Sequence, residues 1–400
     1  MIPTGALEDI RVLDLSQGIA GPLCAKILGD FGAEVIKVEP LAGEPGRRMG
    51  PFFHDDPDPE KSAFFLLLNL NKRGVTLNLE TPKGGSMFKE LVKKAQVVVE
   101  SFPPDYLASL GLDYENLEKI NPGIVVTSIT PFGQSGPYSH YKSEEIVAYA
   151  TSGLMSVSGT ANQEPLKHGG FQSQYEAGLN GALATAYTLL LRDMTGQGQH
   201  VDVSIQEVVA STLVTDHYFY SWAGDVRGRQ PAGGSSVGYI TPCKDGYFVM
   251  QMGGQRTTWD DIVEFLGREE LKEPRFSDPN QRIINSAEMD KIVLEAVKDR
   301  TKADLFRSGA GEHRLLLGID QTPEDLANCP QLESREFFQE IEHPIIGKTR
   351  VPFRLFGMTA TPASYRTPAP LLGQHNAEVY GRLLGYSKEG LVRLKETGII

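Results

Sequence analysis

Two glycine-containing segments have spacings known from enzyme active sites. Gly234-Ser-Ser-Val-Gly238 matches the G-x-S-x-G pattern of serine nucleophiles, which requires a preceding strand and a following helix. Here a glycine-rich stretch precedes the segment and a strand-like segment follows it, so we interpret it as a loop. Gly18-Ile-Ala-Gly21 follows a strand-like segment, as a phosphate-binding turn would, but lacks the G-x-G-x-x-G pattern. We therefore expect neither NAD nor a flavin as a cofactor.

Side chains that could bind a metal ion do not occur in a recognised spacing. The stretch 54–60 (HDDPDPE) offers oxygen ligands without the calcium-loop pattern, and a solvated acidic loop explains it better. The histidines show no H-E-x-x-H or similar spacing. Cys24, Cys243 and Cys329 are far apart, which is typical of reduced thiols in a cytoplasmic protein. We expect no metal cofactor.

The overall charge limits the classes of partner. A net charge of −12 and a pI of about 5.3 disfavour binding to nucleic acid, which is itself a polyanion. No stretch approaches the ~20 apolar residues that span a bilayer. The N-terminal residues lack the basic and apolar regions of a signal peptide. The expectation is a cytoplasmic protein that binds neither nucleic acid nor membranes.

The first 130 residues alternate between strand-like and helix-like segments. Pro22 can occupy the first turn of a helix and Gly32 can cap the end of that helix, while Pro82–Lys94 also has a helical pattern. The strand-like segments are Arg11–Ser16, Ala33–Val38, Gly74–Leu79, Ala95–Glu100 and Gly123–Thr127. This alternation predicts an α/β fold with a parallel, doubly wound sheet.

The remainder of the chain predicts further elements and, at this length, a second domain. Gly224–Gly238 is glycine-rich and predicts a flexible hinge or lid. The predicted elements are a helix at Tyr175–Arg192, a strand at His200–Ile205, a helix at Gln206–Trp222, a hairpin at Tyr239–Met252, acidic helices over 258–340, an extended proline-rich stretch from His343, and a short helix near 374–384.

Several motifs resemble, in order and spacing, those of the class III CoA-transferases, a family that includes formyl-CoA and carnitinyl-CoA transferases and α-methylacyl-CoA racemase. Together they cover nearly the whole chain. The motifs are Val12–Gln17 with Gly21-Pro22, Gly32–Glu39, Asn71–Arg73, Pro131–Pro137, Ser152–Met155, Arg192, Thr195–Gln199, Val201–Ser204, Ala369–Gly373 and Leu384–Tyr386.

The resemblance implies a domain organisation and an assembly. It implies a large Rossmann-like domain built from both chain ends (1–225 and 341–400), a small α+β middle domain (226–340), and two subunits interlocked like links of a chain. It also implies coenzyme A or an acyl-CoA as substrate. Transferases of this type attack the acyl-CoA with an aspartate carboxylate, which forms a mixed anhydride and releases CoA.

Glutamine occupies the position at which the resemblance implies the nucleophile. The family's aspartate lies 21 residues before the threonine of the T-G-x-G-Q turn, and counting back from Thr195 reaches Gln174. A neutral carboxamide has no anionic oxygen, so we expect no catalytic residue at this position. Glu176 is a fallback nucleophile, although a helix would turn it about 200° away from Gln174.

The positions implied to hold CoA are mixed. Gln17, Lys72, Phe102 and Lys142 match the family, which indicates either CoA binding or shared ancestry. Pro40 and Ser109 replace arginines and Ser101 replaces an asparagine, so we expect weaker CoA binding. Racemase activity is disfavoured because its histidine and aspartate correspond to Glu144 and Gln174.

Three functions remain open. The first is a non-catalytic subunit of a heteromeric CoA-transferase (a heterodimer or heterotetramer) in which a paralogous subunit keeps the aspartate; the chain resembles the aspartate-less subunit of such an enzyme. The second is a self-sufficient transferase or acyl-CoA-processing enzyme that uses Glu176. The third is an acyl-CoA-binding protein without turnover.

Overall fold

The computed structural model describes residues 5–229, 237, 240–252 and 257–400. The chain divides into two compact units. The sheet unit comprises Met1–Gly159, Pro165–Gly228 and Glu336–Ile400, and the small unit comprises Thr160–Glu164 and Arg229–Arg335. The domain boundaries predicted from the sequence are 225/226 and 340/341.

A six-stranded sheet forms the centre of the sheet unit. All neighbouring strands are parallel, in the order β3-β2-β1-β4-β5-β6. The strands are β1 (Arg11–Asp14), β2 (Glu34–Glu39), β3 (Lys72–Thr76), β4 (Val97–Glu100), β5 (Val125–Thr130) and β6 (His200–Ser204). Short valine- and isoleucine-rich strands buried on both faces produce this arrangement. The predicted parallel α/β sheet is confirmed.

Helices cover both faces of the sheet. The first ten α-helices are α1 (Ala20–Asp30), α2 (Ala63–Leu68), α3 (Pro82–Val92), α4 (Tyr106–Ser109), α5 (Tyr114–Glu118), α6 (Glu145–Thr151), α7 (Leu154–Val157), α8 (Gln172–Thr195), α9 (Ile205–Ala210) and α10 (Val214–Ala223). Short 3₁₀ helices occupy Pro45–Arg48 and Phe53–Asp55. Along β4, Val97 and Val99 pack into the core formed with α1 and α8, whereas Val98 packs into the core formed with α3. None of the helices in the described ranges combines the length and apolarity needed to cross a bilayer.

The small unit has an antiparallel sheet packed against helices. Its strands are β7 (Ile240–Cys243), β8 (Gly246–Gln251) and β9 (Leu316–Ile319). Its helices are α11 (Trp259–Leu266), α12 (Pro274–Ser277), α13 (Pro279–Ile284), α14 (Ser286–Val297), α15 (Lys302–Leu305), α16 (Pro323–Ala327) and α17 (Pro330–Ser334), with a 3₁₀ turn at Glu269–Lys272 and a π turn at Phe306–Glu312. The predicted hairpin is therefore present, and β9 adds a strand within the stretch predicted to be helical.

The C-terminal segment returns to the sheet unit and contacts β3. It forms a hairpin of β10 (Phe338–His343) and β11 (Gly347–Pro352), followed by α18 (Asn376–Leu384) and α19 (Lys388–Glu396). The Tyr380 hydroxyl donates to the Thr76 carbonyl (2.8 Å), and the Thr76 N–H donates to Asn376 Oδ1 (2.9 Å). The prediction of an extended chain from His343 missed β11, and α19 was not predicted.

The prediction of one long helix at Gln206–Trp222 is wrong. The segment is broken between α9 and α10, where the Ser211 and Thr212 hydroxyls donate to the carbonyls of Val208 and Val209 (both 2.7 Å). Such bonds compete with the helical ladder. Most of the predicted hinge at Gly224–Gly238, including the serine of the G-x-S-x-G pattern, lies outside the described residues.

Glycines allow α1 and α8 to approach closely. A Cβ atom added to Gly178 would lie 2.6 Å from the Ala20 carbonyl oxygen and 3.0 Å from Leu23 Cβ. One added to Gly181 would lie 2.7 Å from Ile129 Cδ1. This contact fixes α8, and with it Gln174, against the sheet.

We predict that Gly178→Ala destabilises the protein by about 1–3 kcal/mol, because the new methyl group must displace backbone of α1. The measurement is the free energy of unfolding in urea. Gly85→Ala is the matched control: it also lies within a helix, its nearest neighbour would be the Leu79 carbonyl oxygen at 3.7 Å, and it should stabilise by about 0.5–1 kcal/mol. Equal stabilisation by both variants would contradict the close-packing account.

Candidate active site

The order of the strands places a switch point between β1 and β4. Ligands of open parallel sheets bind beyond the carboxyl ends of the strands at such a point. The chain leaving β1 runs next to the chain leaving β4: Leu15 N donates to the Val99 carbonyl (2.8 Å), and Gln17 N donates to Ser101 Oγ (2.8 Å). The structure therefore brings the predicted residues Gln17 and Phe102 to one place.

Gln17 and Phe102 line a cleft of about 330 Å³, which we call the switch-point cleft. Its other lining residues are Val38, Glu39, Pro40, Leu41, Ala42, Leu77, Asn78, Leu79, Glu80 and Tyr106. The Phe102 and Tyr106 rings lie 4.7 Å apart and give the cleft an aromatic wall. Its charged lining residues, Glu39 and Glu80, are both acidic.

A group of charged side chains is buried beneath the loop that follows β1. Asp14, Lys37 and Lys72 are each at most 1% exposed. Lys72 Nζ lies 2.8 Å from Asp14 Oδ2, and Lys37 Nζ lies 3.6 Å from the same oxygen. Burial opposes ionisation of Asp14, but the two lysines hold the pKa of its carboxyl below the usual value. Burial lowers the pKa of Lys72 to about 8.

Lys72 uses all three of its N–H donors inside the sheet unit. Besides Asp14, it donates to the Pro22 carbonyl (2.8 Å) and to Asn69 Oδ1 (2.9 Å). An ammonium group has three donors, so none is left for an external ligand in this arrangement. The structure thus gives Lys72 a structural role, and its predicted CoA contact remains a prediction.

A second buried pair connects this network to the C-terminal segment. Arg47 holds Glu39 through two nitrogens (2.7 and 2.8 Å) and donates to Glu60 (2.7 Å). Arg47 also donates to the Pro370 carbonyl (3.0 Å), and Glu60 accepts from the backbone of Leu372 (3.0 Å). Arg47, which does not line the cleft, thereby neutralises the charge of Glu39.

The other predicted positions are spread out. Lys142 is exposed in the loop between β5 and α6, and it is not among the residues that line the switch-point cleft. Pro40 lines the cleft, whereas Ser109 is exposed on α4, where its hydroxyl donates to the Tyr106 carbonyl (2.7 Å). Ser101 accepts the Gln17 N–H. The structure therefore assembles part of the predicted CoA set and leaves Lys142 and Ser109 outside it.

Gln174 lies in the first turn of α8. Phe171 precedes the helix and provides no side-chain cap, so the free N–H groups of the first turn need another acceptor. Glu145, a buried residue of α6, accepts from the Ser173 N–H (3.0 Å) and from the Ser173 hydroxyl. Glu144 is exposed at the start of α6.

Glu176 of α8 and the buried Tyr149 of α6 are close enough to influence each other electrostatically. In the described part of the chain, neither Glu176 Oε2 nor the Tyr149 hydroxyl has a hydrogen-bond partner, although both atoms are buried. Burial, followed by the charge of Glu145, raises the pKa of Glu176, while His168 opposes the rise. Burial, with the charges of Glu176 and Glu145, raises the pKa of Tyr149 to about 12.

These groups suit proton exchange better than nucleophilic attack. A raised pKa enlarges the protonated fraction of a carboxyl at any given pH, and only the ionised form is a nucleophile. Sequence reasoning missed Glu145 and Tyr149. The available signal was the placement of Glu145 directly before an apolar helical run, IVAYA, since an acidic residue there is buried only if it has partners.

Metal-ligating side chains do not cluster in the parts of the chain that the structure describes: no three His, Cys, Asp or Glu residues gather in a way that could hold an ion.

Comparison with known proteins identifies the family. A model described as CoA-transferase family III matches residues 7–376. A succinyl-CoA–D-citramalate CoA-transferase of Chloroflexus aurantiacus is 30% identical over 100% of this chain and 99% of its own length. Subunit BbsE of succinyl-CoA:(R)-benzylsuccinate CoA-transferase from Thauera aromatica is 32% identical over 92% of each chain. This chain therefore belongs to CoA-transferase family III.

A solved structure agrees with the fold. The crystal structure of a CaiB/BaiF family protein from Brucella suis matches with a TM-score of 0.83 and 28% identity, and the match covers 95% of this chain and 99% of that one.

We predict that Lys72→Met lowers the free energy of unfolding by about 3 kcal/mol or more, because it removes one partner of a buried charge pair. Urea unfolding at pH 7 measures the change. Lys93→Met is the control, since Lys93 pairs with Glu90 on the surface and should change stability by less than about 1 kcal/mol. If both variants changed stability by the same small amount, the buried network would have no structural role.

Proposed function

We propose that this member of CoA-transferase family III is the non-catalytic subunit of a heteromeric enzyme. The enzyme would move CoA from an acyl-CoA, such as succinyl-CoA, to a carboxylic acid. A paralogous subunit would supply the nucleophilic aspartate. The observation that carries the proposal is the carboxamide of Gln174 in the first turn of α8.

The chemistry of the transfer explains why this residue matters. The nucleophile must carry a negative oxygen, and its acyl adduct must stay electrophilic enough to be attacked in turn. A carboxamide oxygen carries no charge and has no proton to lose near neutral pH. The chain would therefore stabilise the assembly or regulate it, without forming the acyl intermediate.

The switch-point cleft supports weak CoA binding by this chain. CoA is a polyanion, and phosphate groups bind best to guanidinium groups, which can form two parallel hydrogen bonds. The described lining of the cleft has no Lys or Arg, Glu80 is acidic, Glu39 is already paired with Arg47, and Pro40 has no charge. Two of the four predicted CoA contacts, Lys72 and Lys142, are cations. Lys72 is paired with Asp14 inside the sheet unit, whereas Lys142 is exposed and has no ion pair among the described residues.

An apolar face on α8 supports a partner subunit. Its large apolar side chains recur every three or four residues and are 45–78% exposed. They are Leu179, Leu183, Tyr187, Leu190, Leu191 and Met194. The opposite side of α8 is buried against α1, so the helix is apolar on both sides, which is typical of an element covered by another chain.

The proposal extends to the identity of the CoA donor and of the CoA acceptor. The relatives named above are transferases that use succinyl-CoA, which favours succinyl-CoA as the donor. The resemblance to the aspartate-less subunit of the benzylsuccinate enzyme, which acts in toluene degradation, suggests (R)-benzylsuccinate as the acceptor.

The alternative is a self-sufficient enzyme that uses Glu176. It is favoured by one observation, the buried Glu176 Oε2 that has no partner among the described residues. The raised pKa of Glu176 argues against attack by its carboxylate, as does its position two residues along the helix from Gln174.

We predict that the purified chain alone does not turn over succinyl-CoA with any acceptor acid, and that turnover appears when an aspartate-bearing paralogue is added. Release of CoA in the presence of the acceptor, followed by chromatography of the acyl-CoA product, measures this. Glu176→Gln should leave the activity of the mixed enzyme within about twofold.

The variants separate the two proposals. Turnover by the chain alone that is lost in Glu176→Gln would establish the self-sufficient enzyme and refute the silent subunit. Gln174→Asp restores the nucleophile only; if the cleft binds CoA weakly, this variant should stay inactive on its own. High activity of Gln174→Asp would show that the cleft is intact.

A further prediction concerns the apolar face of α8. The paired change Leu183→Asp with Leu190→Asp should reduce the purified assembly to 43.8-kDa single chains, because charges cannot be buried in the interface without partners. Sedimentation velocity measures the mass. Val392→Asp is the control, since Val392 is 56% exposed on α19, away from this face, and should leave the mass unchanged. An unaltered mass for the paired variant would contradict the interface.

A further inference from the structure

Polar residues interrupt one face of the sheet near the carboxyl ends of β4, β5 and β6. On this face the apolar core contains Val98 and Val126. Two positions after each of these valines, the same face carries Glu100 and Ser128, which are direct partners in the pairing of β4 with β5. His200 pairs with Val126 in the neighbouring strand and therefore also lies on this face. The result is a polar row across three strands.

The members of this row are in contact. Ser128 Oγ lies 2.8 Å from His200 Nε2. Ser128 is also the direct strand partner of Glu100, and its hydroxyl opposes the rise in the pKa of the Glu100 carboxyl. Glu100 Oε2 accepts the backbone N–H of Phe102 at 2.7 Å. The His200 ring stacks on Tyr114, with ring centroids 5.8 Å apart and planes 12° apart. Glu100 and Ser128 are buried, whereas His200 is accessible to solvent.

A cleft of about 450 Å³ opens over this row and is separate from the switch-point cleft. Glu100, Ser128 and His200 all line it. Two residues beyond Glu100, Phe102 lines the switch-point cleft. A hydrogen bond at Glu100 thus connects one cleft with the wall of the other.

We propose that Glu100, Ser128 and His200 form a proton relay that positions Phe102, so that ionisation of Glu100 tightens acyl-CoA binding in the switch-point cleft. The inference rests on the proposed role of that cleft in binding CoA. Glu100 is a positioning residue in this scheme, because it acts through Phe102.

The direction of the hydrogen bonds follows from the charge of Glu100. When Glu100 is ionised, it accepts from the Ser128 hydroxyl, and Ser128 Oγ in turn accepts from His200 Nε2–H. When a proton enters at His200 Nδ1, Nε2–H passes its proton to Ser128, and Ser128 passes its own proton to Glu100. One proton is taken up, and His200 changes from the Nε2–H to the Nδ1–H tautomer.

The titration range suits this exchange. Burial raises the pKa of Glu100 to about 7, while the bonds from Ser128 and Phe102 oppose the rise. Burial lowers the pKa of His200, which favours the neutral imidazole, while the Asp202 carboxylate opposes this shift. Above pH 7 the charged carboxylate holds the Phe102 N–H more strongly than the neutral acid does below pH 7.

The charged groups around Glu100 are mainly acidic. The Asp202 carboxylate on β6 raises the pKa of Glu100. The other ionisable groups that line the cleft are Asp105, Asp113, Tyr114 and Glu115. Among the described lining residues, no Lys or Arg neutralises Glu100.

The affinity experiment measures binding of CoA to the full chain, by calorimetry between pH 6 and pH 8.5. We expect the affinity of the unchanged protein to rise about fivefold from pH 6 to pH 8, which corresponds to a neutral bond becoming charge-assisted. Glu100→Gln should keep the low-pH affinity throughout. Glu115→Gln, which removes a neighbouring charge but does not contact Phe102, should keep the rise. An identical rise in Glu100→Gln would overturn the proposal.

The second readout does not depend on CoA. In ¹⁵N NMR spectra of the side-chain imidazoles, His200 should switch tautomer near pH 7 in the unchanged protein and stay in one tautomer in Glu100→Gln and Ser128→Ala. A tautomer switch without CoA binding at any pH would support the relay and refute the proposed binding role of the cleft. CoA binding whose pH dependence is untouched by Glu100→Gln, without a tautomer switch, would refute the relay alone.

Discussion

Buried charges on the neighbouring strands β1, β2 and β3 set the geometry on which the cleft depends. Asp14, Lys37 and Lys72 have no access to solvent that could compensate a lost partner. Their contacts hold the loop after β1, and the Arg47–Glu39 pair joins that loop region to the C-terminal segment through Pro370. A buried ion pair need not stabilise a fold more than apolar side chains in the same place would. Removing one partner of the pair, however, costs several kcal/mol, so few single substitutions are tolerated at these positions. The network thus fixes Gln17 at the switch point.

The buried charges also affect how we interpret residues that match the CoA contacts predicted from the family. Lys72 is a predicted CoA contact, yet its three donors are satisfied within the chain. A residue can therefore persist because the fold needs it, after or without a role in binding. Gln17 and Phe102 differ in this respect, since both line an open cleft. The α1–α8 contact at Gly178 in turn fixes the place of Gln174, the residue predicted to occupy the nucleophile's position.

Sequence patterns predicted the sheet well because buried parallel strands produce continuous apolar runs, as in Val97–Val99. They failed at Gln206–Trp222, since the helix is interrupted by two hydroxyl-to-carbonyl bonds and not by glycine or proline. At the site, spacing led to Gln174 and Glu176. The apolar run after Glu145 signals its burial, but its partner Ser173 on α8 is 28 residues away, so no local pattern identifies the contact. Glu100 and His200 are 100 residues apart in sequence and meet only through strand pairing.

If the proposed role is right, this polypeptide does not carry an acyl group during turnover. Mass spectrometry of the intact chain after incubation with succinyl-CoA, with peptide mapping of any product, tests it most directly. We expect an unchanged mass in this chain and an acyl or thioester adduct on an aspartate of the proposed partner subunit. A succinyl adduct or a CoA thioester on Glu176 would contradict it.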